Sequence, residues 1–79
     1  MDDQQIRTTA REVVAEILEV DQSELRDDLL FTDLGASSVQ QMEIVVELSS
    51  RFGVKYTQRE EEMVTSVEEA VAITLAHDA

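Results

Sequence analysis

The spacing of the apolar residues constrains the fold of this chain more than any other feature, because it follows the period of an α-helix. In the first segment the apolar positions fall at steps of four, three, one, three and one, which places them on a single helix face. These positions are Ile6, Ala10, Val13, Val14, Ile17 and Leu18. No alternating stretch is long enough to build a sheet, so the pattern predicts an all-α domain.

Residues typical of helix caps mark the first two helices. An aspartate at position 2 or 3 is a candidate N-cap for the first helix. The second helix is expected to begin at Ser37 or Ser38, because each serine has a glutamine three residues later, as in a capping box. It should run to Phe52, and the following Gly53 is suited to ending it.

The rest of the chain divides into a long connection and two further helices. The connection runs from Asp21 to about Gly35, and its apolar residues must pack across the helices if so long a segment is to be ordered. They are Leu25, Leu29, Leu30, Phe31 and Leu34. Residues 57–62 leave room for a short third helix, and Ser66 with Glu69 forms a capping box for the last one. The apolar stripe of that last helix is completed by Val67, Ala70, Val71, Thr74 and Leu75.

Length and charge exclude several classes of protein. We expect residues 1–79 to form one domain with a small core. The 18 acidic residues outnumber the 6 basic ones and give a net charge of −12, which favours partners with basic surfaces. A single lysine and five scattered arginines argue against binding to nucleic acid. Without cysteine there is no disulfide, thiolate zinc site or cysteine nucleophile.

The sequence also predicts where the protein acts. Met1–Gln5 is acidic and polar where a signal peptide would be basic and then apolar, and no apolar run is long enough to span a membrane. We therefore expect a soluble, cytoplasmic protein. Because the sequence has no internal repeat and no linker at either end, we also expect it to be complete, and we expect it to be a monomer.

Residues that could catalyse a reaction or bind a metal are scarce. The only histidine, His77, lies close to the C-terminus and is predicted to be a plain exposed side chain. The acidic residues of the connection do not form a calcium-binding EF-hand. Counted from Asp21, the sixth residue is Arg26 instead of glycine, and the twelfth is Thr32 instead of glutamate. The sequence therefore predicts no catalytic residue and no metal site.

The second helix carries two apolar faces. One face consists of Ile44, Val45, Leu48 and Phe52. The other consists of Val39, Met42 and Val46, which we call the apolar ridge. So small a domain can bury only one face, so the ridge is expected to be exposed and to dock a partner or ligand. The alternative is that Leu30 or Phe31 of the connection folds over the ridge.

A serine at the start of the second helix is suited to bearing a phosphate. A helix N-terminus presents unpaired N–H groups and a partial positive charge. No basic side chain lies near Ser38 in sequence, so it is a poor nucleophile but a candidate for modification by another enzyme. The alternative is that Ser37 and Ser38 are simply helix caps.

The segment Leu34–Val39 reads Leu-Gly-Ala-Ser-Ser-Val and resembles the Leu-Gly-x-Asp-Ser-Leu element of acyl carrier proteins, in which the serine carries 4′-phosphopantetheine. The similarity continues through Met42–Phe52 and Val64–Val67 and spans nearly the whole chain. It implies a four-helix bundle with a short third helix and a long loop between helices 1 and 2. It also implies that Ser38 is the attachment site, loaded by a phosphopantetheinyl transferase from coenzyme A with Mg²⁺.

The same resemblance implies how partners bind. The arm's thiol would hold acyl groups as thioesters and present them to acyl-transferring and ketosynthase-type enzymes, and the chain itself would not be an enzyme. These enzymes would dock on the second helix through basic or apolar patches. The implied partner-binding residues are Val39, Met42, Glu43, Val46 and Glu62.

Departures from the family pattern bear on the pathway. Ser37 replaces the usual aspartate, and Val39 replaces leucine. Ser49 and Ser50 occupy positions that are commonly acidic in fatty-acid carriers. We therefore favour a carrier for polyketide or other natural-product biosynthesis over one for fatty-acid synthesis. A peptidyl carrier, or an acidic helical adaptor without a prosthetic group, remains as an alternative.

Overall fold

The computed structural model describes residues 1–78 and shows within them a bundle of four α-helices. They are α1 (Asp3–Leu18), α2 (Ser38–Phe52), α3 (Gln58–Met63) and α4 (Val67–Asp78). Helix α1 packs against both α2 and α4, and α3 packs on α4. Within 1–78 the extended pairing is limited to a single antiparallel bridge between Leu30 and Ser66. The predicted all-α bundle with a short third helix is confirmed.

The helix ends follow the predicted caps. Asp2 is the N-cap of α1, where its carboxylate accepts from the Gln5 N–H at 2.8 Å and the Gln5 side chain accepts from the Asp2 N–H at 3.1 Å. At the start of α4, the Ser66 hydroxyl accepts from the Glu69 N–H at 3.1 Å. Each bond satisfies an N–H that has no partner within its own helix.

The core lies where the three longer helices meet. Most of its helical members are residues that the periodicity placed on the inner faces: Ile6, Ala10, Val13, Val14, Ile44, Val45, Leu48, Val67, Ala70 and Val71. Ile73 is also buried, although the predicted stripe of the last helix did not include it. Ile17, Leu18 and Phe52 pack against this core while remaining partly exposed. Burial of these apolar side chains is the main force holding the bundle together.

The connection between α1 and α2 packs on the helices, as predicted, although Leu30 stays 45% exposed. It contains two short 3-10 turns, Gln22–Glu24 and Phe31–Leu34, and it buries Leu25 and Phe31. The Phe31 N–H donates to the Thr65 carbonyl at 2.8 Å, which ties the connection to the segment before α4.

Asp27 anchors the middle of the connection to α1. Its carboxylate accepts from Arg7 at 2.7 Å and from Arg11, and its carbonyl accepts from the Glu68 N–H at 2.9 Å. Burial raises the pKa of the Asp27 carboxyl, but the bonds from the two arginines outweigh it and hold that pKa below its ordinary value.

Two side-chain links join α4 to α3 and to the segment just before it. The Tyr56 hydroxyl lies 2.7 Å from the Thr74 hydroxyl, and the Tyr56 ring meets the His77 ring edge-on at 5.8 Å. His77 Nε2 lies 2.8 Å from the Glu60 carboxylate. His77 is solvent-accessible as predicted, but it also joins two helices, which the sequence did not predict.

The described part of the chain contains no helix that is long and apolar enough to cross a membrane.

Candidate functional site

Ser38 is the first residue of α2, and the chain before it determines how its hydroxyl is presented. Gly35 ends the second 3-10 turn with a φ of 87°, a left-handed conformation that costs glycine little. Ser37 then caps α2: its hydroxyl accepts from the Gln40 N–H at 3.1 Å, and the Gln40 side chain accepts from the Ser37 N–H at 2.9 Å. The cap is therefore supplied by Ser37, which leaves the Ser38 side chain for another role.

The Ser38 hydroxyl is exposed and makes no hydrogen bond to any residue within 1–78. It lies in the first turn of a 15-residue helix, where unpaired N–H groups favour a negative charge. No lysine, arginine or histidine lines the groove onto which it opens, and no side chain of the described residues is hydrogen-bonded to it as the base of a catalytic serine would be. The same features suit a hydroxyl that another enzyme esterifies with a phosphate group to form a phosphodiester, so Ser38 fits the attachment of a phosphopantetheine group.

The apolar ridge beside Ser38 is open to solvent. Val39, Met42 and Val46 are 67%, 68% and 60% exposed, the largest exposures among the big apolar side chains of the described residues. The alternative that the connection covers the ridge is wrong, because Phe31 is buried in the core and Leu30 is itself 45% exposed. Three exposed apolar side chains on one helix face form a surface suited to binding.

The ridge separates two grooves of about 440 Å³ each. We call the first, between α1 and α2, the α1-side groove, and it is lined by Val13, Glu16, Ile17, Val39, Met42, Glu43, Val46 and Glu47. We call the second, between α2 and α3, the α3-side groove, and it is lined by Ser38, Gln41, Met42, Val45, Val46, Gln58, Glu61, Glu62 and Val64. Met42 and Val46 belong to both grooves, whereas Ser38 opens only onto the α3 side.

The predicted partner-binding residues do not all form one patch. Glu43 lies with Val39 on the α1-side groove, whereas Glu62 lies with Ser38 on the α3-side groove. Both glutamates are exposed. The sequence did not single out Glu16 and Ile17 of α1 as neighbours of the ridge. Their position on one helix could be read from the periodicity, but their contact with the ridge depends on how α1 and α2 pack.

Neither groove contains a cluster of residues that could hold a metal ion, within the part of the chain that the structure describes.

Comparison with known proteins places this geometry in a family. Residues 8–75 match the family model described as "Phosphopantetheine attachment site". The chain is 37% identical over 78 residues to an acyl carrier protein of Rubrobacter xylanophilus, covering 98% of this chain and 96% of that relative.

Two solved structures share the fold. An acyl carrier protein from Enterococcus faecalis superposes with a TM-score of 0.81 at 23% identity, over 96% of this chain and 98% of the other. The HMG-ACPI domain of the CurA module from Lyngbya majuscula also superposes with a TM-score of 0.81, at 20% identity, over 95% of this chain and 77% of the other. The matched family, the near full-length relative and the shared bundle agree, and the chain belongs to the acyl carrier protein family.

Proposed function

We propose that Ser38 carries the 4′-phosphopantetheine of this carrier and that residues 1–79 act as one carrier domain. The observation that supports this most is the exposed hydroxyl of Ser38, which takes no part in capping α2 because Ser37 does so. Members of this family carry that group covalently and act as carriers, not enzymes. Family membership also disfavours the alternative of an adaptor without a prosthetic group.

The bound group supplies a flexible thiol that holds acyl groups as thioesters, which a chain without cysteine lacks. The protein's own part is to hold the Ser38 oxygen at an exposed helix end, where the N-terminal N–H groups of α2 stabilise the phosphate by about 0.3–1 kcal/mol. We expect the carrier to be a monomer and to be located in the cytoplasm. A phosphopantetheinyl transferase that uses coenzyme A would load it there.

The partner enzymes dock on the ridge and its flanking acids. Val39, Met42 and Val46 supply apolar contact area, and Glu43 and Glu62 attract basic side chains from either side of the ridge. The acyl-processing partners include ketosynthase-type enzymes. Added salt should slow their association, whereas substitution of ridge residues should change which partner is accepted.

We further propose that the acyl cargo belongs to polyketide or another natural-product pathway. Two uncharged serines near the end of α2 support this. The Ser49 hydroxyl donates to the Val54 carbonyl at 2.6 Å, so it closes the end of the helix instead of offering a charge to a partner. Ser50 is exposed and neutral. A carrier for fatty-acid synthesis or a peptidyl carrier is the alternative, and partner selectivity in reconstituted pathways separates them.

The attachment site is tested by incubating the protein with a broad-specificity phosphopantetheinyl transferase, coenzyme A and Mg²⁺ and measuring the intact mass. The wild type should gain the mass of one phosphopantetheine group, and Ser38→Ala should gain none. Ser37→Ala is the matched control: it weakens the cap of α2 but keeps the attachment hydroxyl, so it should still be loaded. Loading of Ser38→Ala, or no loading of the folded wild type, would contradict the proposal.

Ser37→Asp tests the departure from the family pattern. Aspartate caps a helix as well as serine does, so the fold should be retained. The added charge should raise kcat/KM for loading by a transferase that prefers an acidic residue before the attachment serine. An unchanged kcat/KM would show that this position does not limit recognition.

A further inference from the structure

The two grooves beside the ridge differ in what they can reach. Ser38 lines the α3-side groove, so a group attached to its hydroxyl enters that groove first. The α1-side groove lies across the ridge, bounded by Val13 and Ile17 of α1, and does not include Ser38. The α1-side groove therefore stays open to a protein partner when the attached group occupies the α3-side groove.

The α1-side groove is acidic as well as apolar. Glu16, Glu43 and Glu47 line it, and none of its lining residues is positively charged. Arg51, just beyond the groove, is shared among three carboxylates: Glu47 at 3.2 Å, Glu16 at 3.6 Å and Glu12 at 4.0 Å. One guanidinium does not neutralise three carboxylates, and Glu43 makes no ion pair within the described chain. The groove retains a net negative charge.

We propose that the α1-side groove binds a basic amphipathic helix of an enzyme that acts on the group at Ser38, which makes Glu16 and Ile17 part of the docking surface. This inference rests on the proposed function. Apolar side chains of such a helix would insert between Ile17 and the apolar ridge. Rows of side chains on one helix commonly pack in this way into the groove between two others. Its lysines or arginines would meet the three groove carboxylates. Docking on this side does not compete with a group extending from Ser38.

The probe is a synthetic Leu/Lys amphipathic peptide of about four helical turns, with a Leu/Glu peptide of the same pattern as its control. Binding is followed by NMR chemical shifts of the isotope-labelled protein and by calorimetry at about 0.15 M ionic strength, where long-range attraction is screened. The Leu/Lys peptide should bind and shift the signals of Val13, Ile17 and Val39. Shifts centred on Gln58 and Val64 of the α3 side would overturn the proposal.

Two charge reversals on α1 provide a matched pair. Glu12 and Glu16 lie one helical turn apart and both face Arg51, but only Glu16 lines the groove. Glu16→Lys should raise the Kd for the peptide about fivefold or more, since it removes one attraction and adds one repulsion. Glu12→Lys should change Kd by less than about twofold. Equal effects would show that the peptide senses only the net charge, and would overturn the proposal.

A third variant probes the apolar wall. Ile17→Asp should weaken peptide binding, whereas Ala72→Asp, at an exposed site on α4, should not. If Ile17→Asp fails to fold, the comparison of Glu16→Lys with Glu12→Lys decides the outcome. Wild-type protein before and after loading should bind the peptide with the same Kd. Loss of binding on loading would overturn the proposal that the attached group and the partner helix use different grooves. Failure of peptide binding with normal loading at Ser38 counts against this inference only, whereas absence of loading counts against the proposed function.

Discussion

The hydrogen bond between Tyr56 and Thr74 offers a direct measure of how the segment leading into α3 is held on α4. The two hydroxyl oxygens lie 2.7 Å apart, Thr74 is fully buried, and Tyr56 is 8% exposed. Tyr56→Phe keeps the ring in the core but removes one partner of this bond. Because the Thr74 hydroxyl is then buried without that partner, we expect a loss of about 1–2 kcal/mol in the free energy of unfolding.

This loss is large for a chain of this size. Scaling per residue gives a total stability of roughly 4–12 kcal/mol, so the variant would lose a sizeable share. For a domain of this length the melting temperature should fall by about 4–8 °C per kcal/mol. Thr74→Val should cost a similar amount, about 1–2 kcal/mol, because it leaves the buried Tyr56 hydroxyl without this partner. The double variant replaces both polar groups by apolar ones, and its cost should be about 1 kcal/mol less than the sum of the two single costs.

Urea unfolding followed by far-ultraviolet circular dichroism measures all four proteins on one scale. The m-value should stay the same across the set, which shows that the variants change stability and not the extent of unfolding. The reasoning would be refuted if the two single costs simply added in the double variant. Additive costs would mean that the coupling free energy between the two hydroxyls is zero. The packing of the Tyr56 ring would then be what holds this segment on α4.

Two further predictions concern stability away from α3. Asp27→Asn should lower stability at pH 7 by about 1–2 kcal/mol, because neutral asparagine bonds less strongly to Arg7 and Arg11. The pKa of Asp27 is lowered in the folded state, so the wild type holds this advantage above the ordinary aspartate pKa of about 3.9. It loses the advantage as the pH falls through the lowered pKa, so the stabilities of the two proteins in urea should converge in acid. Gly53→Ala should lower the free energy of unfolding by about 1 kcal/mol, because Gly53 has a φ of 65° that alanine adopts only with strain. The loss can be measured as a lower melting temperature. Since nothing lies within 4 Å of the added Cβ, a much larger loss would contradict the open site that the structure shows.

The helices themselves could be predicted from local sequence, because caps and periodicity act within a few residues. Asp2, Ser37 and Gly53 fill the end positions that their residue types favour. The exposure of the ridge followed from a count of how many faces so small a domain can bury. These features need no knowledge of how the helices pack.

Contacts between distant segments could not be predicted in the same way. His77 and Glu60 are 17 residues apart, and nothing in either local pattern indicates that they meet. The approach of Ile17 to the ridge depends on the packing of α1 against α2, which periodicity does not specify. The candidate site was therefore predicted at Ser38, along α2 and at Glu62 of α3, whereas its wall on α1 required the structure.

The division of roles between the two adjacent serines has a consequence for the lifetime of the protein. Ser37 holds the helix end, so the chemistry at Ser38 breaks no bond on which folding depends. Modification shifts the folding equilibrium only through interactions that differ between the folded and unfolded chain. The attraction of a phosphate for the start of α2, about 0.3–1 kcal/mol, is such a term. Through this term, loading should slow proteolysis of the folded chain by at most about fivefold, because cleavage follows the population of the opened form. Contacts of the attached group with the α3-side groove would add to that protection.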